Sequence, residues 1–276
     1  ITVREVMDRQ AKKLDKGDLA PEVEYPVRRC LGEIYAKLGL PYEALRHAEK
    51  ARALASDAHT GTDDDTRAAM LNLEALALDA LGRQADALPK FEQSLAIHRK
   101  LHPDGHANVA IGLNNVALCL DHLGRESEAL TNYVQAFEII SRTHGAATAE
   151  AAANLSNQAS CLADLGQTEE ALVRAEKALV IYKKLHQGDH PDVVFALNNA
   201  AVCLLSLGCE SEALDRHEAA LAMSRRIHKG DHPQVAATLN NVAGCLDALG
   251  RTAKALEKYR EALSTCMRLY RGDHPE

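Results

Sequence analysis

The chain has 276 residues, with 32 Lys and Arg against 39 Asp and Glu, a formal net charge of −7 before any histidine titrates. That balance argues against a nucleic-acid binder, which ordinarily carries a basic excess to displace counterions. Apolar residues at 46% suffice for a buried core, while the absence of Trp and an aromatic content of 4% point to close-packed helices of Ala, Leu and Val rather than a β-sandwich.

Residues 1–15 (ITVREVMDRQAKKLD) open the chain with Val3, Val6, Met7, Ala11 and Leu14 at helical spacing, and residues 1–22 are expected to form a packing helix and connector. Six repeated units are expected to follow, from about residue 23 to 270. Leu-Gly pairs mark them at Leu38-Gly39, Leu81-Gly82, Leu123-Gly124, Leu165-Gly166, Leu207-Gly208 and Leu249-Gly250, with spacings of 43 and then 42 residues. Five residues after each glycine stands an alanine (Ala44, Ala87, Ala129, Ala171, Ala213 and Ala255), each followed by leucine.

The apolar period inside a unit is helical, as at Val194, Leu197, Ala201, Leu204 and Leu205. Pro191 suits a first helical turn, Asp192 favours the positive end of the helix dipole, and Gly208 suits a C-terminal stop. Each unit therefore reads as two antiparallel helices of roughly 16 to 18 residues, about 25 Å long. One such pair cannot bury its apolar face alone, so the expected fold is all-α, a solenoid of stacked pairs with a concave and a convex face. Residues 271–276 (Arg-Gly-Asp-His-Pro-Glu) match the Gly-Asp-His-Pro runs at 188–191 and 230–233. They are expected to start a truncated seventh repeat within a longer parent chain.

These signatures resemble tetratricopeptide repeats (TPR), and LNNVALCL at 113–120, ALNNAAVCLLSLG at 196–208 and GDHPDV at 188–193 resemble the kinesin light chain type. The resemblance implies an all-α, right-handed superhelical solenoid and a protein-binding scaffold. It carries one departure, because aromatic positions familiar in the family are Leu, Cys or Ala here. Residues 1–15 with PEVEYPVRRCLGEIYAKLG also resemble the region preceding such arrays in bacterial Ser/Thr receptor kinases.

Equivalent positions read as columns. Asn72, Asn114, Asn198 and Asn240 fall in one, with Ser156 in the fifth place, and Asn115, Asn157, Asn199 and Asn241 fall in the next. Asn is a poor interior helix former, so eight of them need a reason. Either a column bonds across helices and holds the repeats in register, or it lines the concave groove and grips the main chain of an extended peptide with carboxamide donors and acceptors. The family resemblance favours the second role for the Asn114 column. Neighbours in this register are Leu118, Ser160, Val202 and Gly244, then Asp79, Asp121, Asp247, His122 and Asp164. A somewhat acidic groove expects a neutral or basic peptide, and Phe195 adds one apolar contact or simply packs.

Cys119, Cys161, Cys203 and Cys245 form a further column. Repeats stacked about 10 Å apart place these thiols too far from one another for disulfides or a shared zinc ion, so they read as small core filler. The pairs His102/His106, His186/His190 and His228/His232 have i, i+4 spacing. Gly188 and Pro191 nevertheless put the second His of their pair off any helix continuous with the first, and the pattern recurs with the scaffold, so it reads as turn and capping chemistry and no metal or cofactor is expected. No GxSxG, P-loop, GxGxxG or Ser/His/Asp pattern occurs, so an enzymatic role for these residues is not expected.

No apolar run approaches the roughly 18 residues of a membrane span and no leader pattern opens the chain, so a soluble segment is expected. Seven Cys, an odd number without clustering, make reduced thiols and a cytoplasmic setting the default. The leading expectation is a non-enzymatic scaffold binding a peptide or partner segment. A regulatory tail of a larger signalling enzyme, such as a bacterial Ser/Thr kinase or a nucleotide-switch ATPase, is the alternative, and self-association through exposed repeat ends is a third reading.

Overall fold

The computed structural model describes residues 2–17, 19–56, 63–103 and 105–270. The expected start of a seventh repeat at 271–276 lies outside them. Among the described residues there are thirteen helices and no strand. They are α1 (Val3–Leu14), α2 (Pro21–Lys37), α3 (Pro41–Ser56), α4 (Asp64–Ala80), α5 (Gln84–Leu101), α6 (Ala107–His122) and α7 (Glu126–Thr143), then α8 (Ala149–Asp164), α9 (Thr168–Leu185), α10 (Pro191–Ser206), α11 (Glu210–Ile227), α12 (Pro233–Ala248) and α13 (Thr252–Leu269). The first helix of the opening repeat starts at Pro21, slightly ahead of the expected residue 23. Two compact units divide the chain, Ile1–Ile139 and Ile140–Glu276. Within them the architecture is all-α, made of helix pairs packed in sequence order, such as α2 on α3, α4 on α5 and α10 on α11.

Each pair turns on its Leu-Gly dipeptide. Gly208 sits at φ +74, a left-handed conformation that costs glycine nothing, and lets Cys209 N donate to Leu204 O at 2.9 Å and Gly208 N to Leu205 O at 3.1 Å. Those two bonds satisfy carbonyls at the end of α10 and redirect the chain into α11. The alanines that follow (Ala44, Ala87, Ala129, Ala171, Ala213 and Ala255) are all at most 1% exposed, so paired backbones approach closely through their small side chains. One correction concerns rings. Tyr35, Phe91 and Tyr133 are among the largest fully buried side chains, so the few aromatics do occupy interhelix places, and only some of those places have passed to Leu, Cys or Ala.

At the amino end α1 begins with a capping box in which Thr2 and Glu5 satisfy each other's backbone N–H groups. It lays Ala11 and Leu14 into the core, and its Asp8 accepts a 2.8 Å hydrogen bond from the Tyr35 hydroxyl of α2. Just beyond α1, Asp15 receives Arg28 Nη1 at 2.7 Å and Lys50 Nζ at 2.9 Å, and also pairs with Arg46. Burial opposes its charge, yet these three cations hold the Asp15 carboxyl well below the usual carboxylate range.

Candidate functional site

The first helix of each pair turns one stripe to solvent at spacings of four, three and four residues. In the second unit the stripes are Ala153, Asn157, Ser160 and Asp164 on α8, Phe195, Asn199, Val202 and Ser206 on α10, and Ala237, Asn241, Gly244 and Ala248 on α12. Helices α8, α10 and α12 are neighbours, so the stripes share a face. Phe195 and Val202 are 50% and 49% exposed on it. The three asparagines are half-buried between them.

Hydrogen bonding separates Asn198 from its neighbour Asn199. Asn198 is used inside the fold: His217 Nδ1 donates to its Oδ1 at 2.8 Å, and its Nδ2 donates to Thr238 Oγ1 at 3.5 Å. One residue is about 100° of helix rotation, enough to turn position 198 toward the partner helices while position 199 stays on the stripe. Among the described residues, the side chains of Asn157, Asn199, Asn240 and Asn241 have no hydrogen-bond partner. The column favoured by resemblance for peptide contact thus contains, at Asn198, a residue that ties α10 to α11 and α12, and, at Asn240, an open carboxamide, while its neighbour column presents open carboxamides at Asn157, Asn199 and Asn241.

In the first unit, α4 and α6 are joined by the same residue type, with Asn115 Nδ2 donating to Asn72 Oδ1 at 2.7 Å. Asn114 and Asp121 are half-buried. Asp79 Oδ1 lies 3.0 Å from His122 Nδ1, so one of the expected acidic groups already has a partner within the fold. Here the first-helix face is largely apolar. A hollow of about 450 Å³ lies between α2 and α4, lined by Ala36, Leu73, Leu76, Ala77 and the Lys37 and Glu33 side chains. In the second unit Asp164 is exposed at the end of the α8 stripe, and Asp247 is exposed next to Ala248, which ends the α12 stripe.

The remaining columns are structural. Cys119, Cys161, Cys203 and Cys245 are buried, and burial raises the Cys119 thiol to about 11, far from a reactive thiolate. His106, His190 and His232 are N-caps whose side chains accept from the backbone N–H two residues on.

Sequence reading missed the Leu73/Leu76 hollow and the buried His217. Both stand where a column changes character, since Leu73 replaces the asparagine of positions 115, 157, 199 and 241, and His217 stands where Phe91 and Tyr133 do. A break in the periodicity was the available signal.

Antiparallel helix pairs recurring every 42 residues, each closed by a left-handed glycine, define an α-helical repeat protein. The chain belongs to the tetratricopeptide repeat family, whose profile matches residues 26–100, 81–142, 108–184, 149–225 and 192–268. Its fold resembles the nearly identical TPR-like repeats of a Podosopora anserina protein designated a kinesin light chain, at 20% identity and a TM-score of 0.68, over 76% of this chain and 100% of that one. It also resembles the Pyrococcus horikoshii signal transduction ATPase PH0952, which has a tetratricopeptide repeat sensor, at 15% identity and a TM-score of 0.71, over 96% of this chain and 41% of that one. A third similar structure is NprR in complex with its cognate peptide NprX, at 14% identity and a TM-score of 0.64, over 96% of this chain and 75% of that one. No curated protein matches the sequence. No helix among the described residues is long and apolar enough to cross a membrane.

Proposed function

We propose that the chain is a protein-interaction scaffold whose second unit holds an extended, neutral or basic peptide against the face of α8, α10 and α12. The observation that carries this reading is the set of half-buried asparagines, Asn157, Asn199 and Asn241, with open donors and acceptors beside exposed Phe195 and Val202. Carboxamides at this spacing suit the N–H and C=O groups of an extended main chain whatever its side chains, and Phe195 and Val202 supply apolar anchorage. Asp164 and Asp247 add attraction for basic residues. NprR, a relative in fold, is seen with its cognate peptide, which is the mode of use proposed for this chain.

The test is an arrayed library of neutral and basic nonapeptides. Asn199→Ala with Asn241→Ala should abolish or weaken capture at least tenfold without changing the melting temperature, whereas Asn198→Ala should lower the melting temperature. Equal capture by the Asn199/Asn241 variant removes this face from the reading.

A second reading, that the repeats sense a ligand for a larger signalling enzyme, is favoured by the likeness to the repeat sensor of PH0952. Kinase or ATPase motifs encoded ahead of Ile1 would support it, and a gene lacking both would eliminate it.

A further inference from the structure

Most histidines follow the repeat. His102, His186 and His228 are C-caps of second helices, and His106, His190 and His232 are N-caps of the first helices that come next. The His186/His190 and His228/His232 rings stack with centroids 3.4 Å apart and planes within 6° of parallel. Lone pairs on parallel rings run side by side instead of converging. His190 and His232 also commit Nδ1 to capping. These pairs are turn structure.

His98 and Asp65 break the pattern. Their repeat-equivalent positions hold Ile140, Tyr182, Ser224 and Cys266 for the first, and Ala107, Ala149, Pro191 and Pro233 for the second. Asp65 lies in the first turn of α4, His98 in the last turn of α5, and His102 one turn further along. The candidate ligand atoms of Asp65, His98 and His102 all lie within 4.8 Å of one another. His98 is 9% exposed, and its Nδ1 has no hydrogen-bond partner although Asp65 Oδ1 stands 3.6 Å away. A buried imidazole nitrogen facing a carboxylate without bonding it is a costly arrangement unless something sits between them.

We propose that Asp65, His98 and His102 form a binding site for a divalent transition-metal ion of the zinc type, with water completing the coordination shell. Tetrahedral zinc with bonds of about 2.0 to 2.2 Å separates its ligands by roughly 3.3 to 3.6 Å. The Asp65–His98 edge already has this length, and the Asp65 side chain, 59% exposed, is free to swing as the ion draws the set together. His98, held by its burial, is the fixed ligand. Two imidazoles and one carboxylate suit Zn²⁺, Co²⁺ and Ni²⁺ and disfavour Mg²⁺ and Ca²⁺. The ion would join the start of α4 to the end of α5. At the same end of other pairs, Arg226 Nε meets Asp189 at 2.7 Å and Arg268 Nε meets Asp231 at 2.6 Å. The equivalent residues in α4/α5 are Lys100 and Asp63, and Asp63 instead caps Thr66 N at 2.8 Å.

Calorimetric titration of the full chain with Zn²⁺, paired with the visible absorption of Co²⁺, tests the site. The expected result is one ion per chain, bound at least tenfold more weakly by Asp65→Asn and by His102→Gln, unchanged in His186→Gln, and accompanied by a rise in melting temperature in the parent protein and His186→Gln that the other two variants lack. Circular dichroism checks that Asp65→Asn is folded, and His102→Gln decides the matter if it is not. No uptake at 100 µM Zn²⁺, equal uptake by the variants, or loss on His186→Gln instead would each overturn the proposal.

Discussion

In residues 1–139 the helix pairs are tied together with buried charge, whereas the buried polar residues described in 140–276 are all neutral. Arg28 and Glu74 are 3% and 0% exposed. Arg28 joins Asp15 and Glu24, and Glu74 takes Arg52 at 2.5 Å and Lys90 at 2.6 Å. The second unit uses Asn154, Gln158, His217 and Thr238, in bonds such as Gln158 Nε2 to Asn154 Oδ1 at 2.6 Å. The faces differ in the same sense, since the unit with the ionic interior exposes an apolar hollow and the unit with the neutral interior exposes open carboxamides. One repeat geometry thus tolerates opposite chemistries, and register is held by whichever polar group finds a partner.

A single column tests this directly. Glu74, Val116, Gln158, Ala200 and Val242 are repeat equivalents. Glu74→Ala leaves two cations facing a vacated, water-poor place and should cost about 3 kcal/mol, at the lower end for a broken buried pair because Arg52 and Lys90 can turn outward. Glu74→Val, which copies positions 116 and 242, should cost distinctly less by filling the space. Gln158→Ala should cost about 1 kcal/mol, the worth of a neutral bond. Urea unfolding of the three variants gives the ranking, and equal losses for Glu74→Ala and Gln158→Ala would erase the distinction between the units.

Periodicity made the fold legible, because the Leu-Gly turn, the following alanine and the helical apolar spacing each impose one local structure at every recurrence. The candidate face was legible as two adjacent asparagine columns. Which asparagines stay open was not, because a 100° step around the helix is decided by the partner helices, and the His217 that engages Asn198 lies 19 residues away. Glu74 was illegible for a related reason: a lone carboxylate on an apolar helix looks misplaced until Arg52 and Lys90 arrive from two other helices.

The next contrast is in acid. Burial lowers His217 from 6.5 to about 4, and burial together with Arg28 and Arg46 does the same for His47. Between these values the unfolded chain binds a proton that the folded chain does not. Stability is therefore whole above pH 6.5 and is lost as pH falls toward 4. Each residue should contribute about 2 kcal/mol of loss at pH 5, from 1.36 kcal/mol per unit. His217→Phe copies Phe91 in the same column. It should cost about 1 kcal/mol at pH 7.5 for the lost Asn198 bond and should flatten the second unit's share of the acid dependence. A variant as acid-sensitive as its parent would place the loss in His47 or elsewhere.

Packing offers a smaller contrast. Gly32 stands in a column that is otherwise alanine, at positions 75, 117, 159, 201 and 243. A Cβ there would meet Leu73 Cδ2 at 3.0 Å and Ala44 O at 3.3 Å. Crowding of about 1 to 3 kcal/mol, set against about 1 kcal/mol of better helix propensity, leaves Gly32→Ala destabilised by about 1 kcal/mol. A stabilised variant in thermal denaturation would mean that α2 shifts freely against α3 and α4.

The smallest effect belongs to the surface straps of the second unit. Arg226 and Arg268 each make two hydrogen bonds to one carboxylate, Asp189 and Asp231 respectively, but both pairs stand in solvent, where Coulomb attraction is screened and two long side chains lose freedom to meet. Arg226→Ala with Arg268→Ala should move the melting temperature by less than the Glu74, Gln158, His217 and Gly32 substitutions, and the difference should vanish in 1 M salt, where the screening length is about 3 Å. A large, salt-resistant loss would instead make these straps the second unit's counterpart of the buried Glu74 cluster, and would place part of the ionic chemistry of the first unit on the surface of the second.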